Sequence, residues 1–440
     1  MSFITNIRSV AKYESKILVR SWFFRIFTLL AVVFLGFFNF AMMLMEDNFG
    51  LWFAKSVSSN IPYLNLLLLN TGQAVVAVFL SSEFLKRDKK LDTSEVFYVR
   101  PLSNAEYVVG KIWGNLRVFL FLNLLVLAIV LAFNFMASGV AVDLPAYLVY
   151  FFLISIPTLI FIIGLSIFLM LLLKNQALTF ILLLGYIGLT LFYIQDKFYY
   201  LFDYMVYNLP LFKSTIVGFS NLELILNHRA IYFFAGLGFI FFTIFLFKRL
   251  PNARRSHYPW LFLSFCMFLL MGTAGFRHVR SILREGEMRA LYTSINNKYV
   301  YEPKMAIDYY DISVEQKSET IRSVVGMEGT ALAASEVFIF CLNPGLRVEE
   351  VKDGEKSLNF KREEQILAVD FGRKIEKGDT ISFSVSYEGR IKDDFCYLDI
   401  PEEVLQQPYD KEMLKLDKKY SFQTSDYVLF TPETYWYPRP

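Results

Sequence analysis

The densest run of ionic side chains in the first half of this chain is Lys86-Arg87-Asp88-Lys89-Lys90, followed after a short polar stretch by Arg100-Pro101. Arginine presents a planar fork that pairs carboxylates bidentately, so this stretch is equipped to recognise an acidic surface. A second set of polar residues lies inside apolar runs: Asn65, Asn70 and Gln73 in one, Asn115 and Asn123 in the next. Amides in such surroundings either line a path for a polar substrate or tie neighbouring helices together. Covalent and metal chemistry are poorly supplied. Gly110-Lys111 lacks the remainder of a G-x-x-x-x-G-K-S/T phosphate loop, because the flanking positions are Ala105 and Ile112. His228, His257 and His278 have no ligand-like spacing, and no H-E-x-x-H helix occurs. No catalytic residue, bound metal or cofactor is expected of this chain. Cys266 lies in an apolar run; Cys341 and Cys396 fall in the polar second half, as free buried thiols or, if that half is exported, as a pair.

The elements that carry these residues follow from hydropathy. Of 440 residues 55% are hydrophobic and 19% charged, with a mean hydropathy of +0.41. Soluble domains average about 45–50% and about 25%. The apolar residues crowd into 20–275, and from Arg277 onward the chain has the composition of a soluble domain. A net charge of +3 argues against a nucleic-acid partner. Seven segments are apolar enough to span a bilayer: Ile26–Met45, Ile61–Leu80, Ile112–Phe135, Tyr147–Leu173, Leu178–Ile194, Ile231–Phe247 and Pro259–Gly275. Start signals precede several of them. Ser103-Asn-Ala-Glu106 is a capping box that begins a helix near Asn104; Asn60 with Pro62, and Asp143 with Pro145, open two others. No small-residue cleavage site follows the first apolar run, so a cleaved signal peptide is not expected.

Lys and Arg collect on one side: Arg8, Lys12, Lys16, Arg20, the Lys86–Lys111 cluster, Lys174, Lys248, Arg249, Arg254 and Arg255. The other side shows Lys55, Lys197, Lys213 and Arg229 before the polar half. That asymmetry places the N-terminus in the cytoplasm and, after seven crossings, residues beyond Gly275 outside, with Arg277, Arg280, Arg284 and Arg289 opposing it locally. Trp22, Trp52, Trp113 and Trp260 stand at span ends, as an aromatic belt requires. Phe3–Phe24 mixes apolar and basic residues and is expected to lie along the cytoplasmic interface. The aromatic segment from Gln195 to Arg229, broken by Asp196, Asp203, Pro210 and Gly218, is either a set of short helices dipping into the outer leaflet or an outer cap on the bundle.

Residues 81–111, with Glu83, Arg87, Asp88, Thr93, Arg100, Pro101, Ser103, Tyr107, Gly110 and Lys111, resemble the loop between the second and third spans of type-2 ABC exporter permeases. The resemblance covers about 1–255. It implies a six-helix bundle, a coupling helix seated in a separate cytoplasmic ATPase subunit that uses the ATP, and a second permease copy or homologous permease. Glu83, Arg87, Asp88, Thr93, Arg100, Pro101, Tyr107 and Lys111 are the implied coupling residues. The setting would be the cytoplasmic membrane of a bacterium.

The second half alternates as strands do. In "ISFSVSY" Ile381, Phe383, Val385 and Tyr387 face one way and the serines the other; "EVFIFCLNP" and "QILAVDF" are further strands, with turns at Asp353-Gly354 and Lys377-Gly378-Asp379. Such spacing predicts a β-sandwich. "IDYYDISVEQ", "IEKGDTISFSVSYEGRI" and "FTPETYWYP" resemble the N-terminal β-domain of the aminopeptidase N family, without its zinc helix. The expected fold class is an α-helical polytopic membrane protein, a six-helix permease bundle plus one extra span, followed by an extracytoplasmic β-sandwich. Its parts are an interfacial helix (1–24), the permease (25–255, with the coupling loop 81–111), a seventh span (256–276), a linker (277–299) and the β-domain (300–440). The expected function is the permease subunit of an ATP-driven exporter. The alternatives are a membrane-anchored peptidase-like protein, or a scaffold whose β-domain binds an envelope partner. The orientation is checked by cysteine labelling from outside intact cells: Lys356→Cys should react and Ser94→Cys should not, and the reverse pattern would overturn it.

Overall fold

The computed structural model describes residues 3–44, 57–90, 102–136, 141–194, 197–214, 218–219, 221–247, 258–401, 404, 409–411, 414–416, 421–425 and 427–440, with the backbone alone for 81–90, 409–411 and 414–416. Nine α-helices are described: α1 (Phe3–Arg20), α2 (Trp22–Leu44), α3 (Asn60–Lys90), α4 (Asn104–Met136), α5 (Leu144–Tyr150), α6 (Ile156–Leu173), α7 (Gln176–Phe192), α8 (Leu222–Leu246) and α9 (Tyr258–Lys298). A π-helical turn, Phe151–Ser155, joins α5 to α6. A β-sheet region follows. The chain divides into two units, Met1–Arg280 with Asp410–Leu416, and Ser281–Tyr409 with Asp417–Pro440.

Among the described residues six helices are long and apolar enough to cross a membrane: α2, the first part of α3 (Asn60–Leu80), α4, the α5–α6 rod (Leu144–Leu173), α8 and α9. The fifth segment expected from hydropathy, Leu178–Ile194, is instead the 17-residue α7. Lys174 leaves the preceding helix in the left-handed region (φ 53°), and Asn175 caps α7 by accepting from Leu178 N at 3.2 Å. At about 1.5 Å per residue α7 is roughly 25 Å long, slightly short of a hydrocarbon core of about 30 Å. The expected linker 277–299 is helical through Lys298, as the continuation of α9. Likewise α3 does not stop at Leu80. It runs on to Lys90, because nothing in "SSEFLKRDKK" breaks a helix.

Helix starts follow the side chains that satisfy their first amides. At α4, Ser103 N donates to Glu106 Oε2 (2.6 Å) and Glu106 N donates to Ser103 Oγ (3.1 Å), a closed capping box. At α5, Asp143 Oδ1 accepts from Ala146 N. Helix approach is set by glycine. A Cβ on Gly236 of α8 would fall 2.6–2.7 Å from the Ile160 backbone of α6, and one on Gly164 would fall 2.6 Å from Gly236 O. Two backbones in direct contact maximise dispersion where lipid offers no hydrophobic drive. On α4, Gly110 and Gly114 admit Val10, Ala11 and Glu14 of α1 in the same way.

A two-residue antiparallel pair, β1 (Lys213–Ser214) and β2 (Gly218–Phe219), precedes α8. In the second unit a five-stranded sheet has the order β3 (Met305–Lys317), β4 (Thr320–Ala331), β10 (Thr380–Gly389), β6 (Leu346–Asp353), β7 (Lys356–Ser357). A three-stranded sheet has the order β5 (Ser335–Cys341), β9 (Ile366–Ile375), β8 (Asn359–Glu363). The described ladders in both are antiparallel. Ile381, Phe383, Val385 and Tyr387 are all buried, in the alternation read from sequence. They meet Phe338, Phe340, Leu367, Val369 and Phe371 of the smaller sheet in one core, with Phe383 packed 5.3 Å from Phe340 and 5.4 Å from Phe371 by ring centroids. Gly354 (φ 60°) and Gly378 (φ 94°) occupy the turns marked by sequence.

Gly236→Leu should remove most folded protein from detergent extracts, since neither facing backbone can yield; over-packing costs about 1–3 kcal/mol even where side chains can move. Gly185→Ala, with nothing within 4 Å of the added methyl, should leave the unfolding midpoint unchanged or slightly raised. Equal behaviour of the two in a thermal-melt assay would refute backbone contact at Gly236.

Candidate functional site

The intramembrane amides are placed by α3, α4 and the π turn. Asn70 and Gln73 stand one turn apart on α3, and Gln73 Nε2 donates to Asn70 Oδ1 at 2.6 Å. Asn123 of α4 donates to Gln73 Oε1 (2.9 Å) and to Phe119 O (2.7 Å). Ser155 Oγ, at the end of the π turn, donates to Asn123 Oδ1 (2.8 Å) and accepts from Asn70 Nδ2 (3.1 Å). All four side chains are fully buried. Asn65 lies one to two turns away in a separate reciprocal pair with Asn39 of α2 (2.7 and 3.1 Å). Asn115 is buried on α4. The five predicted path residues therefore do not form one group. Three meet in a network with Ser155, Asn65 belongs to another, and the amides spend their hydrogen bonds on one another.

The polar connection after α3 is the other predicted site. Glu83, Arg87 and Asp88 fall on the last turns of α3, Glu83 and Arg87 one turn apart on one face. Thr93, Arg100 and Pro101 lie outside the described residues, as does Trp52. Tyr107 and Lys111 are described and are interior, 1% and 3% exposed. Tyr107 stacks on Phe247 at 5.5 Å and 9°, and Lys111 pairs with the buried Glu14 of α1 at 3.6 Å. As placed here they position helices and offer no docking surface. Around them runs a polar seam. Asn6 Nδ2 donates to Glu106 Oε1 (2.8 Å), Ser15 Oγ to Gly114 O (2.7 Å), and Arg117 to Ser15 Oγ (2.5 Å) and Ala11 O (2.8 Å). Helix α1 thus turns Asn6, Glu14 and Ser15 inward, while Phe3, Ile4 and Tyr13 are exposed.

The segment between α7 and α8 is a cap built on buried polar groups. Asp203 accepts three backbone N–H bonds, from Tyr207, Asn208 and Leu209 at 2.8–3.0 Å. Arg229, counted from sequence as a loop cation, is 3% exposed. It donates to Leu153 O within the π turn (2.7 Å), to Tyr204 O (3.0 Å) and to Thr158 Oγ1 (2.9 Å). Phe198, Tyr199 and Tyr200 are all left-handed (φ 53–62°), a conformation that costs roughly 1–2 kcal/mol per residue. Their turn is held by His278 Nε2 on Tyr199 O (2.7 Å), His228 Nε2 on Tyr200 O (2.9 Å) and Tyr232 Oη on Leu201 O. Tyr150 Oη bridges Leu211 O and Lys213 N, and Lys213 pairs with Asp143. Sequence reading missed this set. The available signal was Arg229 and His228 at the head of an apolar helix, where a charge must find partners.

In the second unit both cysteines are free thiols. Burial pushes the Cys341 thiol up to about 11 and Cys396 up to about 12, so neither is a thiolate nucleophile near neutral pH. Among the described residues no group of three or more His, Cys, Asp or Glu is arranged to hold a metal.

No family profile and no curated protein matches the sequence. Among solved structures the chain is similar to an M1 zinc metallopeptidase from Deinococcus radiodurans (16% identity, TM-score 0.19), covering 20% of this chain and 21% of that one. A point mutant of that enzyme bound to a Tyr-Ser-Ala substrate gives the same values. The match thus spans about a fifth of those chains, and a likeness of this size carries no argument for fold or activity.

Asn123→Ala should strand the Gln73 carbonyl and the Ser155 hydroxyl donor in a dry interior, at about 1–3 kcal/mol, while Asn70 Nδ2 keeps Leu66 O and Ser155 Oγ. The expected readout is a lowered unfolding midpoint in detergent, with a non-additive Asn123→Ala/Gln73→Leu pair. Additive effects would show that the amides do not act as one network.

Proposed function

We propose that the chain is the membrane-spanning permease subunit of an ATP-driven ABC exporter, coupled to a separate cytoplasmic ATPase through the connection from Glu83 to Pro101. The observation that supports this reading is the order of elements. An N-terminal helix is docked on α4, long apolar helices follow, and between α3 and α4 lies a polar connection rich in Arg and Lys. Its far end is fastened: the capping box fixes Ser103 to Glu106, and Glu106 is tied in turn to Asn6 of α1. A force applied to such a connection passes to α4 and α1 together. A connection serving only as a positive anchor needs no such fastening. The docking surface is assigned to Glu83, Arg87, Asp88, Thr93, Arg100 and Pro101, with Tyr107 and Lys111 as positioning residues behind it.

In this reading the bundle has the six-helix permease arrangement with α9 as the extra span. The N-terminus and the connection are cytoplasmic, a second permease completes the transporter, and the membrane is the cytoplasmic membrane of a bacterium. The β-region is an exported docking domain related to the front domain of aminopeptidase N enzymes. A second reading, a membrane scaffold that binds an envelope partner without transport, draws on the independent core of that region.

The test is charge reversal. Arg87→Glu with Arg100→Glu should leave insertion and yield unchanged, because a charge kept for a docking partner packs against nothing in its own chain, and such a charge contributes within about 0.5 kcal/mol of stability. It should abolish co-purification of the ATPase, since losing a buried interfacial charge partner costs roughly 2–5 kcal/mol of binding. An unaltered complex with normal coupled ATPase activity would reduce the connection to a topology signal.

A further inference from the structure

Beyond Arg280, α9 is fastened to the segment 393–397 of the β-region at two places. Arg289 donates to Cys396 O and to Tyr397 O, both at 2.6 Å. The Tyr292 ring meets the buried Phe395 edge-on, with centroids 5.5 Å apart and planes at 90°. Gln365 Nε2 holds the same turn of the helix through Tyr292 O. Within this fastening two polar atoms are buried and bonded to no protein group: the Oη of Tyr292, a side chain without exposure, and Asp394 Oδ1. The two residues are electrostatic neighbours. The adjacent acid differs, because Asp393 Oδ1 accepts from Ser421 Oγ. A carboxylate oxygen turned inward without a donor bears the cost of its lost hydration, and a neutral carboxyl bears much less. The surrounding charges do not reverse this. Exposed Arg284 of α9 and Lys392 favour the charged form of Asp394, and Asp393 opposes it. Arg289 is spent on carbonyls, Glu364 faces Tyr292 from the turn between β8 and β9, and Glu433 stands by Cys396. Burial outweighs them all and pushes the Asp394 carboxyl up from its ordinary value.

We propose that Asp394 is a proton-operated latch, which as the neutral acid keeps the segment 393–397 seated on the Tyr292 turn of α9 and on losing its proton loosens that seat. The latch lies in the β-region and the part of α9 after Arg280, and it does not depend on coupling to an ATPase. Its sign follows from burial. In the open seat Asp394 meets water and returns to the ordinary value of 3.8; in the closed seat it keeps its proton to higher pH. The seat is therefore tightest below the ordinary value, loosens as pH rises from there to the raised one, and loosens no further above it. Between the two values each opening releases one proton to solvent, so the opening constant climbs by about tenfold per pH unit.

The experiment follows backbone hydrogen exchange of the full chain in detergent between pH 4 and pH 8, corrected for the intrinsic rate at each pH. Protection of the peptides covering 284–298 and 393–397 should fall as pH rises and then level off, while β10 peptides stay unchanged. Asp394→Asn, a permanent mimic of the neutral acid, should hold the low-pH protection throughout. Arg284→Gln removes an exposed cation that favours the carboxylate, so it should move the fall to higher pH, a shift that a merely structural role for Arg284 would not produce. Protection that is flat or rises with pH in the wild type overturns the proposal, as does a wild-type pH profile in Asp394→Asn. Should Asp394→Asn fail to fold, an unshifted profile in Arg284→Gln overturns it equally.

Discussion

A polar side chain carried into a bilayer has no water to turn to, and the helical unit is arranged around that constraint. Asn70, Gln73, Asn123 and Ser155 lie on three different stretches of chain, yet each is the partner that another requires. Sliding α3 against α4 by one residue would leave several amide groups unpaired at once, each at about 1–3 kcal/mol. The π turn belongs to the same solution. It turns Ser155 toward the amides and offers Leu153 O to Arg229, so one local irregularity serves both the bundle core and its cap.

The same constraint shapes the two edges of the unit. At one, α1 buries a Glu–Lys pair and an Asn against the start of α4 beside Val10, Ala11 and Leu18, and its outer face mixes Phe3, Ile4 and Tyr13 with Arg8, Lys12, Lys16 and Arg20. That mixed face suits a helix lying at an interface between apolar and aqueous surroundings. At the opposite edge, the segment between α7 and α8 closes over the bundle because Asp203 takes up its own loop amides and Arg229 its carbonyls. A charge so bonded within the chain is structural. For the proposed permease the consequence is mechanical: both ends of the helices are fastened by directional bonds, so motion at the α3–α4 connection would reach α1 and α4 as one body.

The β-region obeys an ordinary hydrophobic rule in place of this one. Two sheets bury aromatic residues against each other, and the last turns of α9 lie on the smaller sheet through Ile295 against Ile339 and Ile366. Gln365 Nε2 reaches Tyr292 O and Asn296 Oδ1, both at 2.8 Å, and Arg289 donates to Cys396 O and Tyr397 O. These bonds hold the part of α9 after Arg280, up to Lys298, against the β-region.

Sequence by itself determined the class of each segment. Hydropathy over some twenty residues marked the long helices, alternation marked β10, and Ser103 with Glu106 marked the start of α4, because each of these depends on neighbours within a few positions. It also singled out Asn70, Gln73 and Asn123 as residues that must be answered for, without saying by what. Tertiary structure decided the partners: Ser155 for Asn123, Asn39 for Asn65, Glu14 for Lys111, Leu153 O for Arg229. It decided too that Tyr107 and Lys111 are interior, and that α3 and α9 outrun their apolar segments. Helix propensity sets where a helix can continue, but whether a charge at its end is exposed or buried depends on what packs there. That information lies in side chains about a hundred residues away, at Asn6 for Glu106 and at Glu14 for Lys111, beyond the reach of any local pattern.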